Sequence, residues 1–394
     1  MAVAPERKRV AIVRQRYNAY GGAERFIERA LPALERSGAE VTLIARSAAG
    51  WGVRRFLAVD PFYAGNTWRD ASFARAARAA WRAGGFDLVQ SHERIAGCDI
   101  YRAGDGVHAH WLEIRRASAG SGFGFLERIG IALNPYHRYV CAAERRMFED
   151  PRLRAVICNS NMVRAEILRR FGVAPEKLHV IYNGVELEHF HARHAEALRA
   201  TTRAELGAGA GEVLFLFVGS GFARKGLDAA IGALAASGEA RIRLAVAGRD
   251  RAAARFAALA AALGLGERVR LLGGREDLRP LYAAADCFIL PTRYDPFPNS
   301  ALEALAMGLP AIVGRRSGAA EIVRHGENGW ICDPDDIPGL ARLMREAASA
   351  VRDASARNAA RNAARATAED HGMDDMARRL NELYAALMTP RSLQ

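Results

Sequence analysis

The sequence predicts an α/β fold made of two Rossmann-like, doubly wound lobes that face a cleft. Short apolar strands alternate with helix-length segments, which is typical of parallel sheets covered by helices on both faces. This alternation stops near residue 182 and starts again at Val213. The length of 394 residues also suits two domains better than one. Ligands bind at the carboxyl ends of the strands in such sheets, so we expect the functional residues in the loops there.

The first lobe is expected to span residues 1–183. Its predicted strands are Val10–Val13, Val41–Ala45, Asp87–Gln90 and Ala155–Cys158. Gly21 and Gly22 stand between the first strand and a predicted helix. Glycine there lets the backbone approach a ligand, and the free N–H groups of a helix start attract phosphate. A tight turn without a ligand explains the same two glycines, so both interpretations stay open.

Residues 184–211 are expected to form a linker that contains a helix over 195–206. The second lobe then covers residues 212–372. Its predicted strands are Val213–Val218, Ile242–Ala247, Val269–Leu272, Cys287–Leu290 and Ala311–Val313. The tail beyond residue 341 is rich in alanine and arginine and is predicted to be helical.

Composition excludes several classes of protein. Half of the residues are hydrophobic, which is too many for a disordered chain, and no uncharged apolar stretch is long enough for a membrane span. The N-terminus carries charges where a signal peptide is apolar, so we expect a cytoplasmic protein. The net charge of +12 predicts attraction to polyanions. Without an aromatic-basic RNA signature or a basic recognition helix, nucleic acid is not an expected partner.

The segment Gly219–Gly226 reads GSGFARKG and follows a predicted strand. It lacks the third glycine of a dinucleotide loop and the Gly-Lys-Ser/Thr of a P-loop. What remains is a glycine turn with Arg224 and Lys225 at a helix start, where cations oppose the helix dipole. This favours a diphosphate neutralised by the two cations without a metal over a merely solvated charge pair.

The segment from Leu290 to Pro310 carries two carboxylates, Asp295 in a proline-rich loop and Glu303 on the helix that follows. The loop carboxylate can accept hydrogen bonds from sugar hydroxyls. The helix carboxylate can hold the two hydroxyls of a ribose, while the helix start faces phosphate. An ordinary acidic bias at a helix start is the simpler alternative.

Together these segments resemble the retaining glycosyltransferases of family 4, which have the GT-B fold. The likeness covers nearly the whole chain. It also includes Gly21-Gly22, Asn183-Gly184, Leu281–Asp286 and Gly308–Pro310. Within the family, Gly97–Asp105 and Gly221–Gly226 most resemble the lipopolysaccharide core glucosyltransferases that extend the first inner-core heptose.

The resemblance implies a role for each matching residue. Arg224 and Lys225 would hold the donor diphosphate, with Gly21 and Gly22 closing over it. Glu303 would bind the ribose. The remaining implied site residues are Asp295 facing the donor sugar, the amides of Phe297 and Asn299, and Asp105 beside the anomeric carbon on the acceptor side. Asp295 departs from the family, which usually has glutamate there, and this leaves the donor sugar open.

The implied reaction moves a hexosyl group from a UDP-sugar to a glycolipid or oligosaccharide acceptor, in particular a lipopolysaccharide core. The resemblance to the core glucosyltransferases implies that this group is glucose. Configuration is retained, and neither a metal nor another cofactor is required. The last helix, 373–388, is expected to pack back on the first lobe. The alternatives are an epimerase or phosphorylase of the same fold, and a binding protein that only senses a nucleotide-sugar.

Two other groups of residues have the composition of a metal site. Asp333-Pro334-Asp335 spells the DxD of metal-dependent glycosyltransferases, but a turn and helix cap explain it better. The histidines His108, His110, His189, His191 and His194 show no helical i, i+4 pair with a carboxylate. His189, His191 and His194 are better explained as part of a solvated linker. His108 is three residues from Asp105 and could contact the substrate.

Residues 107–139 mix aromatic side chains with arginines. Such a segment suits peripheral contact with the anionic inner face of a membrane. A partly buried insertion in the acceptor lobe would have the same composition, so the sequence is compatible with either a membrane contact or an insertion.

Overall fold

A computed structural model describes residues 8–18, 31, 34, 35, 38–49, 51, 55–118, 129–194 and 196–388. The chain divides into two compact units. The first unit holds the described residues up to Tyr182 together with those from Asp374 onward, and the second runs from Asn183 to Met373. Each unit has its own parallel sheet, so the predicted α/β class is confirmed. Gly21 and Gly22 lie outside the described residues.

The strands of the first unit are, in chain order, β1 (Arg9–Val13), β2 (Arg16–Asn18), β3 (Glu40–Ala45), β4 (Ser47–Ala49), β5 (Phe56–Ala58), β6 (Leu88–Ser91), β7 (Ile100–Arg102), β8 (Ala155–Cys158) and β9 (Leu178–Val180). Its helices that precede the second unit are α1 (Gly65–Gly84), α2 (His108–Ser118), α3 (Pro135–Phe148) and α4 (Asn161–Phe171). The main sheet has the order β5-β3-β1-β6-β7-β8-β9, and β2 pairs with β4. Because chain order reverses between β1 and β6, the loops after these strands diverge at a switch point.

The predicted strands of this unit are confirmed to within one residue at each end. They were detectable because each has apolar residues that are buried in the sheet, most clearly in β1 and β8. The Ser160 hydroxyl caps α4, since it accepts a hydrogen bond from the Val163 amide at 3.2 Å. Strands β2, β4, β5, β7 and β9 were not predicted. Each has three residues, which is too short for a hydrophobic period to stand out.

The strands of the second unit are β10 (Val213–Val218), β11 (Ile242–Ala247), β12 (Val269–Leu271), β13 (Cys287–Leu290), β14 (Ala311–Gly314) and β15 (Gly329–Cys332). Its helices are α5 (Glu196–Glu205), α6 (Phe222–Lys225), α7 (Leu227–Ala236), α8 (Ala253–Ala262), α9 (Arg279–Ala284), α10 (Asn299–Ala306), α11 (Ile337–Arg352) and α12 (Ala354–Glu369). The parallel sheet has the order β12-β11-β10-β13-β14-β15. Its switch point therefore lies between β10 and β13.

The segment 184–211, which the sequence suggested as a linker, is part of the second unit. Two arginines of α5 attach it there. Arg199 donates to the carbonyl oxygens of residues 283–285, and Arg203 donates to the Asp286 carboxylate at 2.9 Å. The polar composition of this segment is typical of a linker. Its arginines nevertheless bind residues about eighty positions further along the chain, and these contacts make it part of the second unit.

The last helix, α13 (Met373–Met388), groups from Asp374 onward with the first unit. Tyr384 is buried, and its hydroxyl donates to the Gln90 side chain of β6. In the described part of the chain, no helix is both long enough and apolar enough to cross a membrane.

Candidate active site

The switch point of the second unit brings together the two loops that the sequence singled out. Residues 219–226 follow β10 and contain the short helix α6, while residues 291–298 follow β13 and lead into α10. Parallel strands end at the same edge of a sheet, so neighbouring strands place these loops side by side. The Ser300 hydroxyl also donates to the Val218 carbonyl at 3.1 Å, which ties α10 to the end of β10.

The two loops are held in close backbone contact. The carbonyl oxygen of Arg224 accepts hydrogen bonds from the Thr292 hydroxyl at 3.0 Å and from the Arg293 amide at 2.9 Å. Gly226 has a φ of +75°, and a Cβ atom there would lie 2.0 Å from the Pro291 carbonyl oxygen. Only glycine suits both the conformation and the approach, so the spacing of the loops depends on this residue.

Both predicted cations meet Asp295 across this contact. The Lys225 ammonium donates to the Asp295 carboxylate, and the Arg224 guanidinium lies 3.6 Å from the same oxygen. Lys225 and Asp295 are buried, whereas the Arg224 side chain is 36% exposed. One carboxylate therefore balances two cations, and a positive charge is left over. This excess charge, fixed in a loop that contains three glycines, is suited to an anionic ligand.

The sequence placed these cations at the start of a helix, and the structure differs. Arg224 and Lys225 occupy the last turn of the four-residue helix α6, which ends at Gly226 before α7 begins. Cations are favourable at that end of a helix, so the dipole does not oppose them. The evidence for a ligand site is instead the shared carboxylate and the backbone contact with the second loop.

Glu303 lies on the second turn of α10, as predicted, and is buried. Its carboxylate accepts a hydrogen bond from the Tyr282 hydroxyl at 3.0 Å. The side-chain amide of Asn183 donates to the Asn299 side chain at 2.7 Å and to the Phe297 carbonyl at 3.4 Å. No local sequence pattern indicates these contacts of Tyr282 and Asn183, because both residues are distant in sequence from the residues that they position.

The aspartates of the DxD sequence are paired with arginines. Arg315 lies 3.2 Å from the Asp333 carboxylate, and Arg316 lies 3.4 Å from that of Asp335. The Asp333 side chain also accepts from the Asp335 amide at 3.1 Å. These contacts agree with the predicted turn. Within the described ranges, no three histidine, cysteine or acidic side chains are grouped as metal ligands would be.

In the first unit, Asp105 lies in the loop between β7 and α2, at the carboxyl end of its strand, and is exposed. The loop is held from both sides. Arg94 donates to the Gly106 carbonyl at 3.1 Å, and the Asn159 side chain donates to the Gly104 carbonyl at 3.3 Å. The predicted residue is therefore presented to solvent by a well-anchored loop.

The buried Glu144 carboxylate organises the residues that follow this loop. It accepts hydrogen bonds from Arg94 at 2.8 Å, from the His108 amide at 2.7 Å and from the Ala109 amide at 3.3 Å. Glu144 thus satisfies free N–H groups at the start of α2 and balances Arg94. It was not predicted, because it lies on α3, more than thirty residues from the groups that it binds.

His108 is a neutral imidazole at pH 7. Burial lowers its pKa to about 3, with further lowering by Arg94, His137 and Arg115. Its Nε2 atom lies 3.1 Å from Nδ1 of His137, whose pKa is also lowered by burial and by nearby arginines. At neutral pH the pair can share a hydrogen bond without adding charge beside Arg94.

We expect His108 to make the protein lose stability in acid. Because its pKa is lower in the folded than in the unfolded chain, the unfolded chain binds the extra proton between about pH 6.5 and pH 3. Its contribution is constant above about pH 6.5 and falls by about 1.4 kcal/mol for each pH unit below it. His108→Gln should therefore reduce the difference in unfolding free energy between pH 7.5 and pH 5 by about 2 kcal/mol.

Urea unfolding at the two pH values, followed by far-UV circular dichroism, measures this difference. An unchanged pH dependence in His108→Gln would show that His108 is already protonated or that it titrates normally in the folded protein.

Two family models match the chain and between them cover most of it. The model described as "Glycosyl transferases group 1" matches residues 199–367, which include every predicted site residue of the second unit. The model described as "Glycosyltransferase Family 4" matches residues 20–189, which include Asp105. Fold, site and these matches define an enzyme that transfers sugar groups, a glycosyltransferase.

Individual relatives agree with this class. A probable transglycosylase of Burkholderia thailandensis, BTH_I0986, is 30% identical over 354 residues, which cover 88% of each chain. The lipopolysaccharide glucosyltransferase WaaG of Escherichia coli K12 is 28% identical over 265 residues, covering 66% of this chain and 68% of WaaG. The chain belongs to glycosyltransferase family 4, as its sequence motifs predicted.

Solved structures show the fold. The crystal structure of WaaG, a glycosyltransferase involved in lipopolysaccharide biosynthesis, superposes with a TM-score of 0.81 at 24% identity, covering 95% of this chain and 99% of WaaG. Anabaena Alr3699/HepE in complex with UDP-glucose superposes with a TM-score of 0.71 at 19% identity, covering 96% and 99%. The predicted GT-B fold is thereby confirmed.

Proposed function

We propose that this enzyme moves glucose from UDP-glucose to the lipopolysaccharide core or a related cell-envelope glycan, with retention of configuration and without a metal ion. The observation that carries the proposal is the cation pair at the switch point of the second unit. Arg224 and Lys225 exceed the charge of Asp295, so the site is prepared for a further anion. A diphosphate in the process of leaving a sugar is such an anion.

The donor is inferred from the site and from the relatives together. Glu303 is buried on α10, where its carboxylate can hold ribose hydroxyls beside the diphosphate. Tyr282 keeps that carboxylate in place. WaaG is named as a glucosyltransferase and HepE binds UDP-glucose, and both have the fold of this chain. UDP-glucose is therefore the donor that we expect.

The reaction breaks the bond between the anomeric carbon and the diphosphate oxygen and forms a bond from that carbon to the acceptor oxygen. The acceptor hydroxyl attacks from the face that the diphosphate leaves, and its proton passes to the departing phosphate. Negative charge grows on the diphosphate in the transition state. Arg224 and Lys225 are already fixed where that charge develops, so they bind the transition state more strongly than the donor.

The shared carboxylate gives Asp295 a role in this step. While the site is empty, Asp295 neutralises the buried Lys225 ammonium. An arriving diphosphate gives that ammonium a second partner, and Asp295 can then accept hydrogen bonds from sugar hydroxyls. Asp105, exposed on its anchored loop, is assigned to the acceptor side near the anomeric carbon, where its charge stabilises a developing oxocarbenium ion.

The acceptor is inferred from the names of the relatives and from charge. WaaG is named as a lipopolysaccharide glucosyltransferase and described as involved in lipopolysaccharide biosynthesis. This chain carries a net charge of +12. Within residues 129–139, Leu133 is 70% exposed and Ile129 is 38% exposed, which supports peripheral contact with the inner membrane face. Residues 119–128 of that segment lie outside the described ranges.

A transfer assay with a panel of UDP-sugars and a core oligosaccharide lacking its outer sugars tests the proposal. We expect glucose transfer from UDP-glucose at the same rate with and without excess chelator, and a product of retained anomeric configuration. Asp105→Asn should keep UDP-glucose binding but lose transfer. Sugar isomerised or phosphorolysed without acceptor would favour an epimerase or a phosphorylase, and tight UDP-glucose binding with no transfer would favour a sensor. Activity that chelator abolishes would contradict metal independence.

A further inference from the structure

A basic groove lies between helices α1 and α3 of the first unit. It encloses about 500 Å³ and is covered on one side by residues 94–96, which follow β6. Five arginines line it, Arg75, Arg78, Arg82, Arg94 and Arg146. The remaining lining residues are Tyr139, Ile95 and five alanines, so none of the described residues that line the groove carries a carboxylate.

Within the described ranges, one of the five arginines in this groove has an acidic partner and four have none. Arg94 pairs with Glu144, but no ion pair or hydrogen bond within the described ranges involves the side chains of the other four arginines. Arg75, Arg78 and Arg82 follow one another at intervals of three and four residues, so they share one face of α1. Like charges at this spacing repel and reduce helix stability. An anionic ligand would remove that repulsion.

Arg78 gives a second, independent indication that the groove binds an anion. Its Nε atom is buried and has no hydrogen-bond partner among the described residues. The loop that covers the groove packs against it, since a Cβ atom on Gly97 would lie 3.3 Å from this nitrogen. Buried N–H groups are almost always satisfied in folded proteins. The missing hydrogen-bond acceptor of the Arg78 guanidinium, in a groove lined by arginines, is most simply supplied by an oxygen atom of an anion.

Arg94 connects the groove with the loop that carries Asp105. It lines the groove, and its guanidinium also donates to Gly106, the residue after Asp105. A ligand that contacts Arg94 from the groove is therefore near the loop assigned to the acceptor. The groove is concave, which suits a single phosphorylated sugar better than the planar array of headgroups on a bilayer.

We propose that this groove binds a phosphate ester carried by the acceptor glycan and so selects phosphorylated acceptors. The inference rests on the proposed function, because it places the ligand on the acceptor. Arginine recognises phosphate through paired, charge-assisted hydrogen bonds. Tyr139 also lines the groove. Within the described ranges, the side chains of four of the arginines make no ion pair or hydrogen bond, so their replacement breaks no such contact of the unit.

The test compares a phosphorylated core oligosaccharide with the same material after phosphatase treatment. We expect a KM at least about tenfold lower for the phosphorylated form, because each charge-assisted hydrogen bond contributes about 1.5–3 kcal/mol. The variant R75Q/R78Q/R82Q should lose this preference through a higher KM for the phosphorylated acceptor. The control R138Q/R145Q/R152Q removes the same charge from exposed positions outside the groove and should keep it. Equal KM values for the two acceptors with the native enzyme would overturn the proposal.

Two further arms separate the possible failures. If R75Q/R78Q/R82Q loses binding to vesicles of phosphatidylglycerol and phosphatidylcholine but keeps its acceptor preference, the groove is a membrane contact and the proposal is wrong. If the native enzyme transfers sugar to neither form of the core oligosaccharide, the proposed function fails. The groove is then tested by titrating UDP-saturated protein with glucose 6-phosphate. Binding that the triple variant loses would support a phosphate site, and absence of binding would exclude it.

Discussion

Lys225→Ala is expected to lower kcat at saturating donor by about 10²- to 10³-fold, the range seen when a fixed charge-stabilising donor is lost. Lys225 is buried beside Asp295 at the point where the diphosphate is expected to leave. Alanine removes the ammonium but not its carboxylate partner. Because Arg224 still lies 3.6 Å from Asp295, the carboxylate keeps one cation and the loop keeps its position.

The matched control is Lys177→Ala. Lysine occurs at only three positions in the chain, and Lys177 lies in the first unit, at the end of a short 3-10 turn. We expect this variant to keep its rate. The measurement is initial transfer velocity at saturating UDP-glucose, with thermal unfolding as a check on folding. A kcat for Lys225→Ala within a factor of two or three of the native value would remove Lys225 from the mechanism.

Gly226→Ala should have the largest effect on the structure of the site. A Cβ atom there would lie 2.0 Å from the Pro291 carbonyl oxygen, a backbone atom that cannot rotate away. The loops after β10 and β13 would have to separate, which would move Lys225 away from Asp295. We expect a loss of about 4 kcal/mol or more in stability, in the range that marks severe substitutions, together with loss of transfer activity.

Gly221→Ala is the matched control for this prediction. Gly221 and Gly226 both have a φ of +75°, but a Cβ atom on Gly221 meets no heavy atom within 4 Å. Alanine at position 221 should therefore cost only the about 1–2 kcal/mol of a left-handed conformation. Hydrogen–deuterium exchange of peptides from β10 and β13 compares the two variants. Equal protection of these strands in both would show that the backbone contact does not set the spacing of the loops.

The strands that carry the site could be predicted closely. Val213–Val218, Ile242–Ala247 and Cys287–Leu290 have the predicted bounds, because buried parallel strands are unbroken apolar runs. The helix that carries Glu303 was also predicted to follow the proline-rich loop, since such a loop does not continue as a helix. Family motifs then named the site residues. Local patterns were sufficient here because each of these signals lies within a few consecutive residues.

Other features depended on contacts between distant segments. The segment 184–211 reads as a linker, but α5 is anchored by arginines that donate to residues 283–286. Glu144 and the arginines of the groove likewise act on residues from other elements. The sequence does not predict these contacts, because the local pattern around an arginine on a helix surface does not show which residues of other elements lie beside it.

The amino-acid sequence alone determined the fold class, the family and the chemistry available at the site, since apolar periodicity and short motifs are local properties of the chain. Tertiary structure decided how those groups are used. It showed that one aspartate serves two cations, that Lys225 ends one short helix and does not begin the next, and that five arginines converge on one groove. Electrostatic energy depends on distance and burial, and both are set only when the chain folds.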